Sequence, residues 1–432
     1  MTKAVISNRI YISKPPEGFD SIKAALTYKL AVQGATRGGK AVKTIEIIRN
    51  YKVLPRDIIS IPQGRADLIP EGYEVLDKRV RVDMPFPLPT KSLRDTQLEV
   101  FDKVDESCFI NALVGWGKTF TALYVAAKLG QKTLVITHTT MLRDQWIKEA
   151  QELFGMEIGI IGSSQYDIDH PIVIGNIQTV TKHALALSKE FGTIIMDEAH
   201  HCPATTFTAL IDAMYARYRI GLSGTLLRKD GKHVLFKDYF GPIVHKPPQS
   251  HTLNPKINIL RSGISLSPGE PWVKKINNLL YDQDYQKYIA AMARFQAEKG
   301  HKVLIVASRV EFLMNVKEIL GEQCVLVTGE TTLEERNAIA HRIETGEITC
   351  IAGSRQIWAE GISVNPLSCI VLADPIANEV LLEQLIGRIM RMAPNKLEPE
   401  VIDINFAGYA DRKQNNLRLG FYLEKGWEIE TI

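Results

Sequence analysis

Two short runs of this chain carry residue types able to do chemistry on a phosphate anhydride. The first is Gly115-Trp116-Gly117-Lys118-Thr119. Its glycines let backbone N–H groups approach phosphate oxygens. Lys118 can reach the β- and γ-phosphates of a nucleoside triphosphate, and the Thr119 hydroxyl can ligate Mg2+. Ala112 stands where a glycine would complete the Gly-x-x-x-x-Gly-Lys-Thr pattern. The second run is Asp197-Glu198-Ala199-His200, which follows the apolar Thr193-Ile194-Ile195-Met196. At the end of a buried strand, Asp197 is placed to hold a hydrated Mg2+ and Glu198 to polarise an attacking water. Phosphoryl transfer needs positioning and charge neutralisation more than covalent chemistry, so this pair fits it. His200 and His201 have no surrounding Cys/His cluster of the kind zinc requires, and His200 reads as a coupling residue.

A competing phosphate loop, Gly34-Ala35-Thr36-Arg37-Gly38-Gly39-Lys40-Ala41, ends in an alanine with no hydroxyl and lacks an apolar strand before it. It reads as a basic loop. The 115–119 run has the right surroundings: Cys108-Phe109-Ile110 ahead of it, and a helix-forming stretch from Thr119 to Leu129 stopped by Gly130.

The elements that must hold these residues follow from the apolar pattern. Short β-branched runs alternate with helix-length amphipathic segments from about residue 105, at 133–137, 171–174, 193–196 and 218–222, and again at 303–307, 324–328, 348–352 and 369–373. Runs apolar on both faces signal buried parallel strands in βα units. The reading is an α/β chain. Residues 1–88, broken by many prolines, form a small α+β domain; 89–245 and 276–432 form two α/β lobes; 246–275, rich in Pro, Ser and His, is a connector.

Composition narrows the class. With 45% hydrophobic and 23% charged residues the chain is neither disordered nor collagenous. No apolar run reaches the roughly 18 residues of a membrane span, and no signal-peptide core opens the sequence. Five dispersed cysteines without a Cys-x-x-Cys pair argue against a disulfide framework and fit a reducing cytoplasm. The net charge is only +3, but residues 1–50 hold nine basic against three acidic side chains. Such a basic segment suits a polyanion, or is simply a solvated surface.

In their order, these residues resemble superfamily 2 helicases. Asp197-Glu198-Ala199-His200 is similar to the DEAH box, and Leu93-Arg94-Asp95-Thr96-Gln97 resembles the adenine-reading segment. Residues 137–146, beginning Thr137-His138-Thr139 and ending Gln145-Trp146, resemble motif Ia. Asn176-Ile177-Gln178-Thr179-Val180 resembles motif Ib and Ser223-Gly224-Thr225 motif III. Residues 353–362 are similar to motif V and Gln384-Leu385-Ile386-Gly387-Arg388-Ile389-Met390-Arg391 to motif VI. Within the superfamily the flavour is that of XPB, restriction motors and compact phage branch-migration helicases of the UvsW kind, supported by the tail Leu417–Glu428. Gly224 and Ser363 depart from the commoner motif III and V residues, and residues 1–88 match no motif.

The resemblance implies two tandem RecA-like lobes with ATP and Mg2+ between them. Lys118, Asp197, Glu198, His200, Arg388 and Arg391 would be catalytic, the two arginines supplying charge from the second lobe. Arg94, Gln97, Gly115, Trp116, Gly117, Lys118, Thr119 and Gly361 would bind the nucleotide, and Thr119 and Asp197 the metal. Thr139, Arg143, Thr179, Ser308, Arg309, Thr328 and Ser354 would track a nucleic acid backbone. Trp358 is either a stacking platform or a buried aromatic. The implied function is an ATP-dependent DNA helicase or translocase acting on forked, branched or single-stranded DNA as a monomer in the cytoplasm. The basic balance of residues 1–50 separately suggests that residues 1–88 bind DNA. An RNA helicase, a duplex translocase that never separates strands, and a catalytically dead nucleic-acid-binding scaffold are the alternatives.

Overall fold

The computed structural model describes residues 2–15, 17–33, 43–112, 115–201, 204–224, 231–247, 253–266, 269–359 and 364–432. The chain divides into two units, Met1–Leu113 with Gly117–Pro248, and Gln249–Ile432 with Val114–Trp116.

The first unit begins with strands β1 (Lys3–Ile6), β2 (Arg9–Ser13), β3 (Thr27–Gln33), β4 (Lys43–Arg49), β5 (Lys52–Leu54), β6 (Ile58–Pro62) and β7 (Glu74–Asp77). Five of them form a sheet ordered β5-β6-β2-β1-β7, while β3 and β4 make a separate antiparallel hairpin. Ile6, Ile10, Ile12, Ile59 and Ile61 alternate inward along the sheet and pack on Phe19, Ile22 and Leu26 at the short helix Asp20–Ala25. This α+β segment does not stand apart. The Asp238 carboxylate, fully buried, accepts hydrogen bonds from Tyr28 Oη (2.8 Å), Asn50 Nδ2 (2.8 Å) and Arg65 Nη1 (3.2 Å). Buried Arg9 pairs with Asp212 at 2.6 Å. Gly64 passes so close to the backbone of Lys237, Asp238 and Gly241 that a Cβ would lie 2.6–2.7 Å from it, so glycine is required there.

The rest of this unit is a sheet of β8 (Cys108–Asn111), β9 (Thr133–Thr137), β10 (Gly159–Gly162), β11 (Gln165–Tyr166), β12 (Ile172–Asn176), β13 (Thr193–Met196), β14 (Tyr218–Ser223) and β15 (Val244–His245). Its order is β11-β10-β12-β9-β13-β14-β8-β15, and among the described pairings all are parallel except β10 with β11. Every residue of β9, β12 and β13 is buried, which is why each of these strands carries consecutive aliphatic residues instead of an alternating pattern.

The second unit holds β16 (Lys256–Arg261), β17 (Val303–Ala307), β18 (Cys324–Val327), β19 (Cys350–Ser354), β20 (Cys369–Leu372), β21 (Glu400–Asn405) and β22 (Glu428–Thr431), in the order β18-β19-β17-β20-β21-β16-β22. β16 lies inside the stretch expected to be a connector, and the helix Trp272–Tyr281 begins there. Prolines around β16 hide it in the sequence; parallel pairing with β21 and β22 turns Lys-Ile-Asn-Ile-Leu-Arg into a core strand. The tail resembling phage helicases is structural here. On the helix Tyr409–Glu424, buried Arg418 pairs with Asp403 (2.8 Å), which also accepts from Tyr422 Oη (2.9 Å). Each sheet therefore contains the same six-strand succession, β10-β12-β9-β13-β14-β8 in one and β18-β19-β17-β20-β21-β16 in the other. Among the described residues no helix is long and apolar enough to cross a membrane, and no metal-binding cluster of His, Cys, Asp and Glu occurs.

Candidate active site

Strand β8 leads to a turn in which Gly115 and Gly117 have φ of +89° and +95°, and the helix Lys118–Leu129 starts directly after it. Gly117 serves a second purpose. A Cβ there would collide with Gln97 Nε2 and come within 3.2 Å of Arg94 Nη2, so the expected adenine-reading side chains lie against the loop. Gln97 is buried, and its Oε1 accepts from the Arg94 backbone N–H at 3.0 Å. The sequence leaves Arg94 and Gln97 some twenty residues from Gly117; the fold puts them in contact. Trp116 is buried and Thr119 half-buried. The helix ends at Gly130, in the left-handed conformation the sequence suggests.

Lys118 is buried; its Nζ donates to the Ala112 carbonyl at 3.0 Å and lies 4.0 Å from Glu198 Oε1. The acid pair follows β13, the strand between β9 and β14. The Asp197 carboxylate is buried and held from both sides: the Trp146 indole N–H donates to Oδ2 at 2.7 Å, and the Glu198 backbone N–H to Oδ1 at 2.9 Å. Burial and the Glu198 charge push the Asp197 carboxyl up to about 7, against the opposing pull of the Trp146 bond and Lys118. Glu198 has φ of +44°, a conformation that costs a non-glycine residue about 1–3 kcal/mol and that concentrates at functional sites. His200 Nδ1 is 3.2 Å from Glu198 Oε2 and 2.6 Å from Ser223 Oγ, which links the acid pair to the end of β14. Burial pushes the neighbouring His138 imidazole below its ordinary value, with Glu198 opposing and His200 adding to that shift.

The residues expected on a nucleic acid strand divide into kinds. The Thr139 hydroxyl caps the helix Thr140–Phe154, accepting from Leu142 N–H at 3.2 Å, and Thr179 is half-buried on the helix Ile177–Lys182. Arg143 is turned inward. It is buried and donates to Asp144 (2.7 Å), Ser163 Oγ (2.9 Å) and Asn176 Oδ1 (3.3 Å), which makes it a brace between its helix and the end of β12. In the second unit Ser308 donates to Asp374 Oδ2, Arg309 donates to Asn277 Oδ1 at 2.9 Å, Thr328 Oγ1 accepts from Glu330 N–H at 3.3 Å, and Ser354 ends β19. Asp374 also pairs with Arg355.

Arg388 is buried and donates from Nε to the Trp358 carbonyl at 2.7 Å; Arg391 follows it and is half-buried. Trp358 is fully buried, packed where a Cβ on Gly353 would strike its Nε1, so it is a core aromatic and offers no face for stacking. Gly361, the loop at 34–42, and Thr225 lie outside the described residues. Reasoning from sequence assigned no role to Trp146, although it closes the motif Ia run, nor to Asp374 and Arg355. The available signal was an indole six residues into a helix that follows a buried strand.

Comparison with known proteins decides the family. Residues 90–228 match the family model described as the res subunit of type III restriction enzymes, and residues 284–393 match the helicase conserved C-terminal domain. Over 439 aligned residues the chain is 40% identical to the "Probable helicase D10" of Escherichia phage T5, spanning all of this chain and 96% of that protein. This chain is a superfamily 2 helicase. The helicase is also 25% identical, over 71% of its length and 66% of the relative, to the "ATP-dependent DNA helicase uvsW" of Enterobacteria phage T4. Its fold is shared with S. cerevisiae Dbp5, solved bound to RNA and ADP BeF3, at a TM-score of 0.58 and 12% identity, covering 79% of this chain and 90% of that one. Two RecA-like lobes and ATP hydrolysis follow for this helicase.

Proposed function

We propose that this helicase couples ATP hydrolysis to movement along DNA and remodels forked or branched duplexes. The observation that carries the catalytic half is the acid pair after β13, with Lys118 Nζ 4.0 Å from Glu198. In this reading Lys118 holds the β- and γ-phosphates, Glu198 orients the attacking water, and His200 reports its state to β14 through Ser223. Thr119 and Asp197 are the residues that would hold Mg2+, which would neutralise charge on the triphosphate. The donor set suits a hard cation. Two carboxylates sit side by side in a buried place, and the charge of one is disfavoured there by the other. Arg388 and Arg391 are the cations we propose for the transferred phosphoryl group.

The DNA half is supported by the name of the T4 relative and by the hairpin β3–β4. The inner face of the hairpin packs Tyr28 and Ile48 on the core of the first unit, and Glu46 pairs with Lys232 at 2.9 Å. Its outer face presents Lys29 opposite Ile47 and Thr27 opposite Arg49, with Ile45 69% exposed. Cations flanking bare aliphatic side chains suit a phosphate backbone beside unstacked bases. Steady-state ATPase with single-stranded DNA, duplex, forked DNA and RNA tests the assignment. Stimulation should be greatest with forked DNA; stimulation by RNA alone would overturn it.

A further inference from the structure

The indole of Trp146 is fully buried, yet its N–H is spent on one atom, Asp197 Oδ2, at 2.7 Å. A buried indole N–H needs an acceptor, and the acceptor this fold supplies is the proposed metal-holding acid. The donor's neutrality matters. A guanidinium or ammonium at this position would cancel the Asp197 charge, whereas an indole N–H fixes the orientation of the carboxylate and leaves its negative charge available. The other oxygen, Oδ1, is fixed by the Glu198 backbone N–H. Trp146 therefore supplies the one side-chain hydrogen bond described for this carboxylate.

The same helix has a second attachment. It starts at Thr139, and Arg143 bolts it to Asn176 at the end of β12, one residue before the helix that carries Thr179. Thr139 and Thr179 are among the residues that the helicase resemblance puts on a nucleic acid strand, and we take them as part of its path. From Thr139 to Trp146 is about 10 Å along a rigid helix axis. A shift of the helix start on strand binding would therefore be carried to the indole, and through it to Asp197.

We propose that Trp146 is a positioning residue that aligns the Asp197 carboxylate and transmits nucleic acid occupancy from the start of its helix to the hydrolytic site. This rests on the catalytic reading of Asp197 and the strand path given above. The test is Trp146→Phe, which keeps the ring and removes the N–H. Stimulated kcat should fall about tenfold, with KM for ATP changing less than about twofold, and stimulated rates should fall more than basal ones. The Mg2+ concentration needed for half-maximal binding of a fluorescent non-hydrolysable ATP analogue should rise by about tenfold. Trp427→Phe, in the second unit, is the control for loss of an indole alone. A folded Trp146→Phe protein with an unchanged stimulation ratio and unchanged Mg2+ dependence would overturn the proposal. Should that variant fail to fold, Trp146→His retains a ring donor and should keep part of the stimulation; stimulation no better than that of Trp146→Ala would count against the idea. Lys118→Ala separates the two levels. If it still hydrolyses ATP, the site reading itself fails; if it is dead while Trp146→Phe keeps full stimulation, only the coupling fails.

Discussion

The two α/β units run the same six strands in the same order, and they treat the buried aspartate just past the matching strand differently. β13 and β20 occupy matching positions, each flanked by the counterparts β9 and β17. Asp197 follows β13 directly, and Asp374 lies one residue further past β20, level with Glu198; both aspartates are buried. Asp197 is held by a neutral indole and a backbone N–H, beside a second carboxylate. Asp374 is met by the Arg355 guanidinium and the Ser308 hydroxyl. In one unit the carboxylate meets neutral donors; in the other it meets a cation and a hydroxyl that hold the ends of β17, β19 and β20 together. One sheet plan thus gives its buried aspartate either neutral donors or a cation, according to what the neighbouring elements supply.

Loss of the phosphate-loop cation should do the most damage. Lys118→Ala should lower ATP turnover by at least about a hundredfold, while Lys40→Ala, in the competing glycine loop, stays near wild type; a steady-state ATPase assay decides. Glu198→Gln should cost a similar factor, about 10²- to 10³-fold in kcat, and leave binding of a fluorescent ATP analogue within about twofold.

Stability should separate the two aspartates in opposite directions. Asp374→Asn strands Arg355 and should destabilise the protein by about 3 kcal/mol in denaturant melts. Asp197→Asn should do the reverse at high pH. The Asp197 carboxyl is raised from 3.8 to about 7 in the folded protein, so the folded state binds more protons than the unfolded one across that window. The stability this group contributes is present below pH 3.8 and is lost as pH rises through about 7. Without divalent cations, Asp197→Asn should therefore raise the melting temperature relative to wild type at pH 8 more than at pH 5. A variant less stable than wild type at pH 8 would show that the leftover charge is compensated.

The smallest effect expected is at the hairpin. Because Tyr28, Asn50 and Arg65 satisfy buried Asp238, deleting residues 1–88 would strand a carboxylate, so point changes are the cleaner probe. Lys29→Ala with Arg49→Ala should reduce the slope of log affinity against log salt for forked DNA by about two.

The order of the motifs, the alternation of strand and helix, and the stop at Gly130 were all legible in the sequence. Parallel strands buried on both faces leave continuous apolar runs, and the residue types that bind phosphate are few. What a charged side chain is doing was not legible, because that depends on neighbours far along the chain. Arg143 was expected on a nucleic acid strand and is a buried brace to Ser163 and Asn176. β16 was hidden among prolines until β21, more than a hundred residues later, supplied its hydrogen bonds. Residues 1–88 read as a separate domain, and buried ion pairs with Asp212 and Asp238 join them to the first unit. Residue identity sets which groups can ionise, donate or approach a phosphate. Packing sets which of those charges are cancelled and which remain, since burial and a partner a few ångströms away outweigh the intrinsic preference of any single residue.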